Sequence, residues 1–260
     1  MSPDSLLKNR NFIFFLSIRW FYSVAIQSIT LTVGWQVYVL TGNPLDLGLI
    51  GLAQVFPIFL FILPSGVIAD KFDRKIVISL CTIVHLLVAI YLLYYSLSDP
   101  SSIWPILIAL LVHGTARAMY QPSLSAILPN IVEKKIFPNA TAYNSSVGKL
   151  GHLIGPLVSG IIISFYDTKV YIFAIICFAI STISTLLLKN PKNPNNLKSV
   201  SLSVVISGFV YVWRTRLVLG TMSIDLFAVL FGGIMGMLPI FAIDILQIGP
   251  EGLGLLRTMP

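Results

Sequence analysis

Charge is what this sequence most lacks. Only 10% of its 260 residues are Asp, Glu, Lys or Arg, where a soluble domain carries roughly 25%. With 56% hydrophobic residues and a mean hydropathy of +0.90, the chain cannot cover a core with polar surface in water. A soluble globular protein is excluded, and so is a disordered one; lipid is the solvent expected for most of the chain. Cysteine is nearly as scarce. Cys81 and Cys177 each sit inside an apolar run with no CxxC partner, so no disulfide framework, zinc site or other metal centre is expected, and no cofactor. Acidic residues number 10 against 17 basic ones. The basic residues fall in short clusters between apolar runs, as in cytoplasmic membrane loops, which argues against nucleic acid as a partner. Also missing are a GxxxxGK[ST] loop, an HExxH pair, paired aspartates within spans and a Ser–His dyad. An ATP-driven pump on this chain alone and an intramembrane enzyme are therefore not expected.

What is present is length of apolar run. A helix needs about 20 apolar residues to cross the hydrocarbon, and seven runs qualify: Phe12–Leu40, Leu47–Ala69, Ile76–Leu97, Ile103–Leu128, Ala140–Phe165, Val170–Leu188 and Leu217–Ile243. Nothing alternates with the period of barrel strands. The class is an all-α membrane protein. The first run is too long for a signal-peptide core and is expected to stay in the mature chain. Twelve lysines and arginines, among them Lys8, Arg10, Lys71, Arg74, Lys134 and Arg214, fall on one set of connections, and Lys169 alone falls on the other. The positive-inside rule then puts the N-terminus in the cytoplasm. The run NPKNPNN at 190–196 is a loop. The segment 199–216, ending in Trp213 and Arg214, reads as an interfacial amphipathic helix.

A shift of 206 positions brings Lys8 and Arg10 onto Arg214 and Arg216, Phe21 onto Phe227, and the run Pro44–Ile50 onto Pro250–Leu256. The seventh run thus reads as a second copy of the first, the pattern of two parallel repeats about an axis along the membrane normal. Residues 1–188 form one six-helix repeat, 189–216 a cytoplasmic linker, and 217–260 the start of a second repeat. On this reading the chain is truncated after its seventh span.

Between the second and third runs stands Gly66-Val67-Ile68-Ala69-Asp70-Lys71-Phe72-Asp73-Arg74-Lys75. It resembles the G-x-L-A-D-R-x-G-R-[KR] loop of the major facilitator superfamily of secondary transporters, with Asp73 where that pattern has Gly. Gly66 is expected to allow close helix approach. Asp70, Arg74 and Lys75 are expected to latch helices in one conformation and release them in another. The fifth run holds Gly151-His152-Leu153-Ile154-Gly155-Pro156-Leu157-Val158-Ser159-Gly160. It is similar to the G-x-x-x-G-P-x-x-G-G motif of that superfamily's antiporters, with Ser159 for one Gly. Glycines four apart let helices approach, and Pro156 removes a backbone bond. The run from Tyr120-Gln121-Pro122-Ser123 to Ala140, with Gly208–Arg214, is most similar to the enterobactin-exporter and macrolide-efflux branch. The resemblance implies a major facilitator fold, export rather than import, and a bacterial inner membrane.

Four ionisable residues lie within spans: Arg19, Arg117, Lys149 and Asp225. Facing lipid at mid-depth each costs several kcal/mol, so each is expected to face a wet cavity or a partner. Arg19 and Asp225 occupy equivalent repeat positions with opposite charge, and are expected to line a central cavity from opposite halves; the alternative for Arg19 is snorkelling to the cytoplasmic interface. Gln27 is a further cavity candidate, while His85, His113 and His152 read first as packed core residues. The expected function is secondary active export of a small organic molecule, siderophore or drug-like, by alternating access and driven by protons. A truncated non-transporting remnant and a seven-helix receptor are the alternatives. The expected partners are the bilayer, the substrate and protons. The full-length form is expected to be a monomer, and the isolated chain inactive unless it dimerises.

Overall fold

Each apolar run is bracketed by residues that start or stop a helix. The computed structural model, which describes residues 3–98, 100–189, 213–216, 219–221, 223–224 and 234–259, turns every described run into one. α1 (Arg10–Thr41) starts where Asn9 Oδ1 accepts the Asn11 N–H. It stops at Gly42, whose φ of 60° lets the chain turn left-handed. α2 (Pro44–Lys71) opens on a proline capped by Asn43, and α3 (Arg74–Leu97) is capped by Asp73 Oδ1 at 2.9 Å from the Lys75 nitrogen. α4 (Trp104–Ile131) and α5 (Phe137–Tyr166) each carry a proline in the first turn, and α6 (Val170–Leu187) follows a short 3-10 turn. The six helices match the first six runs to within a few residues. α1 to α5 run longer than those runs because polar cap residues add helix outside the hydrocarbon, while α6 stops at Leu187, one residue short of its run.

Among the described residues, four stretches are long and apolar enough to cross a membrane: Arg10–Thr41, Pro44–Phe61, Arg74–Leu97 and Lys134–Leu187, the last holding both α5 and α6. α4 is not one of them. His113, Arg117 and Gln121 dilute its apolar run, yet it is 28 residues long and packs in the same bundle, against α2 and α3. α1 packs on α5 and α6, and α3 on α6. The outer surface is apolar, with Phe59, Tyr94, Trp104 and Phe165 all largely exposed, as lipid-facing residues should be.

Of the seventh run the structure describes α7 (Ile234–Ile240), which continues as a π-helical turn, Phe241–Ile245. α8 (Pro250–Thr258) follows, opening on Pro250 as α2 opens on Pro44. It packs along α5. Asp225 and the expected interfacial helix over 199–212 lie outside the described residues.

Candidate substrate cavity

α5 is thin where it meets its neighbours. A Cβ on Gly151 would stand 2.7 Å from Ser23 Cβ, and one on Gly155 2.8 Å from Gln27 Cβ, so both seat α5 directly on α1. One turn on, Gly160 meets α8: a Cβ there would fall 2.5 Å from the Pro250 carbonyl oxygen. Gly254 answers from the other side, its Cβ position 2.6 Å from the Pro156 carbonyl oxygen. Ser159, the departure from glycine, lies 2.7 Å from Ser28 Oγ and ties α5 to α1. The motif is one helix edge serving two neighbours in succession.

That close seating lays Arg19 flat against Gly148, with a Cβ there only 2.8 Å from Nε. Its Nη1 donates to Gln121 Oε1 of α4 at 3.2 Å. Arg19 therefore lies between α1, α4 and α5. It borders two adjoining hollows. One, of about 510 Å³, is lined with Ser145, Gly148, Lys149, His152 and Leu153. The other, of about 410 Å³, is lined with Gln121, Pro122, Leu124, Ser125 and Asn144. Gln27 reaches the first from α1 by a short hydrogen bond to His152 Nδ1. Of the cavity residues expected from sequence, Arg19, Gln27 and Lys149 are gathered in one region, while Arg117 of α4 lines neither hollow. His152 and Gln121 join them; their signal was present as polar residues on apolar helices, but sequence alone did not say which faces meet.

Two other expected groups behave differently. His85 and His113 are fully buried and pair through their Nδ1 atoms at 2.9 Å. The Tyr22 hydroxyl lies 3.2 Å from His85 Nε2, and Tyr22 stacks on Tyr120 at 3.6 Å between centroids. These are packed core residues, as the sequence suggests, but joined into one polar chain across α1, α3 and α4. In the loop between α2 and α3, the close approach expected at Gly66 is not made within the described chain. A Cβ there would meet nothing within 4 Å, because α2 packs on α4 and α1 through other faces. Arg74 Nη1 donates to the Ala126 carbonyl of α4 at 3.1 Å, and Lys75 Nζ to the Leu186 carbonyl at the end of α6 at 2.8 Å. Both cations are moored to helix ends of the same bundle, where the carbonyl dipoles favour them. The Asp70 side chain lies outside the described residues.

The Tyr38 hydroxyl donates to Asp244, a residue 206 positions on, and Ser164 of α5 donates to Glu251 of α8. Gly34 faces Pro239, with a Cβ 3.6 Å from its ring.

The family model of the transmembrane secretion effectors matches residues 11–258. The chain belongs to that family, within the major facilitator superfamily. Among curated relatives, this secretion effector is 29% identical over 183 residues to the staphyloferrin A transporter of Staphylococcus aureus, covering 67% of this chain and 45% of that protein. It is 22% identical over 168 residues to macrolide efflux protein A of Streptococcus pyogenes, covering 62% and 40% respectively. The chain thus spans about half the length of these relatives or less. In fold it is similar to a bacterial homologue of the human lysosomal transporter Spinster, solved inward-facing and unoccupied. That match has a TM-score of 0.69 at 17% identity and covers 96% of this chain and 60% of the other. Its relatives are transporters, not enzymes, and the secretion effector is a multi-pass membrane protein.

Proposed function

We propose that the chain supplies the amino-terminal half, and the opening of the second half, of a secondary active exporter that moves a small organic molecule outward by alternating access. The observation that carries this is one asymmetry. Arg19, Lys149 and His152 border one hollow between apolar helices, and Gln121 a second beside Arg19, while farther along α1 and α5 the elements α7 and α8 are tied on through Tyr38–Asp244 and Ser164–Glu251. A polar cavity open at one end and closed at the other is what alternating access requires of either resting state. With the N-terminus in the cytoplasm of a bacterial inner membrane, the open end faces inward and loads substrate. The second repeat begins near residue 217, and the interfacial segment 199–216 links the two. The relatives' names favour siderophores or macrolides as the cargo class. Protons are the proposed coupling ion. Asp225, should it meet Arg19 from the opposite half, and the gate carboxylates Asp244 and Glu251 are the groups on which a proton would act. The loop residues Gly66, Asp70, Arg74 and Lys75 hold the cytoplasmic end, and Gly151, Gly155, Pro156 and Gly160 let α5 slide between α1 and α8.

The test is transport in everted membrane vesicles carrying the protein, with an imposed gradient, acid inside. Gradient-dependent uptake of labelled staphyloferrin A or erythromycin, abolished by a protonophore, supports the reading. Uptake that ignores the gradient contradicts proton coupling, and no uptake of either probe contradicts export of these classes.

A further inference from the structure

The charges around the hollow do not balance. Arg19 from α1 and Lys149 from α5 both line one hollow, Lys149 one turn before His152. Two elements thus bring two cations to one hollow inside an apolar bundle. Against them the whole sequence places a single acid within its apolar runs, Asp225; the others lie at helix ends and in connections. Among the described residues neither cation makes an ion pair, and Arg19 is held by the neutral amide of Gln121.

Like charges gathered in a low-dielectric surround repel one another and favour entry of an anion. The hollow is equipped to hold one. Among the described residues the Nε of Arg19 has no acceptor, and Asn144, which lines the second hollow beside Arg19, has an oxygen with no donor. A donor left without a partner costs free energy until something accepts from it. The guanidinium fork matches an oxyanion in two-point fashion, while Lys149 supplies a mobile point charge for a second oxyanion group. The amides of Gln27, Gln121 and Asn144 suit the neutral hydroxyl or carbonyl groups of an organic skeleton. The rest of the first hollow's surface is largely apolar, Leu153 included, and suits the carbon framework of such a molecule.

From this we infer that the cavity binds an organic polyanion, a small molecule with two or more carboxylate-type groups, held between Arg19 and Lys149. This rests on the transport reading above for its biological meaning, but binding is measurable without transport.

The probe is citrate, a tricarboxylate, measured by scintillation proximity on the 260-residue chain in nanodiscs at fixed ionic strength, with tetraphenylphosphonium as a cationic probe of similar bulk. Saturable citrate binding is expected, weakened about tenfold to a hundredfold by Arg19→Gln and by Lys149→Gln, and restored in part by Arg19→Lys. Phe165→Ala, on the outer apolar surface and in the lining of neither hollow, controls for folding and leaves citrate affinity within about threefold. Citrate binding that is absent, or that survives both charge-removing variants, overturns the proposal. The second case would mean that Asp225 already neutralises Arg19, or that citrate sits on surface lysines. Tetraphenylphosphonium bound and exported without citrate leaves the exporter reading standing and overturns only the substrate class. Citrate bound at Arg19 and Lys149 but never transported supports the site and counts against the exporter.

Discussion

Asp73 and Ser159 both stand where the superfamily's motifs have glycine, and each makes a hydrogen bond that glycine lacks. Asp73 caps α3 through the Lys75 N–H, so Asp73→Ala is expected to lower stability by about 1 kcal/mol, read as a fall in the thermal midpoint in detergent. The glycines themselves divide sharply. Gly155→Val must push aside Gln27 and the Val24 backbone and is expected to cost about 1–3 kcal/mol. Gly66→Ala, with open space around it, is expected to leave the midpoint of this chain unchanged. Thermal scans of the two variants side by side check both. The motif spelling was legible in the sequence, but which glycines touch a neighbour was not. That depends on helix rotation, which residue identity alone does not report. The same blindness hid the contact between Gln27 of α1 and His152 of α5.

α1 works on two sides. One face carries Arg19 and Gln27 to the hollow, and the other carries Tyr22 to the buried pair of His85 and His113. Each ring supplies the other's Nδ1 partner, while among the described residues His113 Nε2 has none. His85→Phe leaves His113 Nδ1 buried without a partner as well, a loss of about 1–3 kcal/mol. The double variant His85→Phe/His113→Phe removes both partners and is expected to be more stable than the sum of the single effects implies. A double-mutant cycle on thermal midpoints measures this, and additive losses would show that the two rings do not depend on each other. Helix ends were the most legible elements, because Asn9, Asn43, Asp73 and the early prolines announce them. α4 was legible by length but is the least apolar, since its polar residues face the pair and the cavity. Helix pairing was not legible: apolar runs say that faces are buried, not against what.

At the scale of the molecule, Tyr38 and Asp244 stand at the 206-residue separation of the proposed repeat, and residues related by a two-fold axis touch each other only near the axis itself. On that proposed reading the contact lies about the line relating the halves, with α5 and α8 interlocked through Gly160 and Gly254 beside it. We propose that releasing this closure lets the cavity face the other way. Asp244→Asn together with Glu251→Gln weakens both contacts across it. The pair is expected to shift the resting population toward the form open at this end, seen as increased labelling of a cysteine at Lys149 by impermeant maleimide added outside.

The most direct test of alternating access combines that label with a lock. In a protein carrying Tyr38→Cys, Asp244→Cys and Lys149→Cys, with Cys81 and Cys177 replaced by serine, oxidation is used to bridge positions 38 and 244 before labelling. The account predicts that bridged protein is labelled at 149 only from the cytoplasmic side, and that reduction restores labelling from outside. Outside labelling that persists with the bridge closed, or a position 149 reached from neither side in both states, would contradict it.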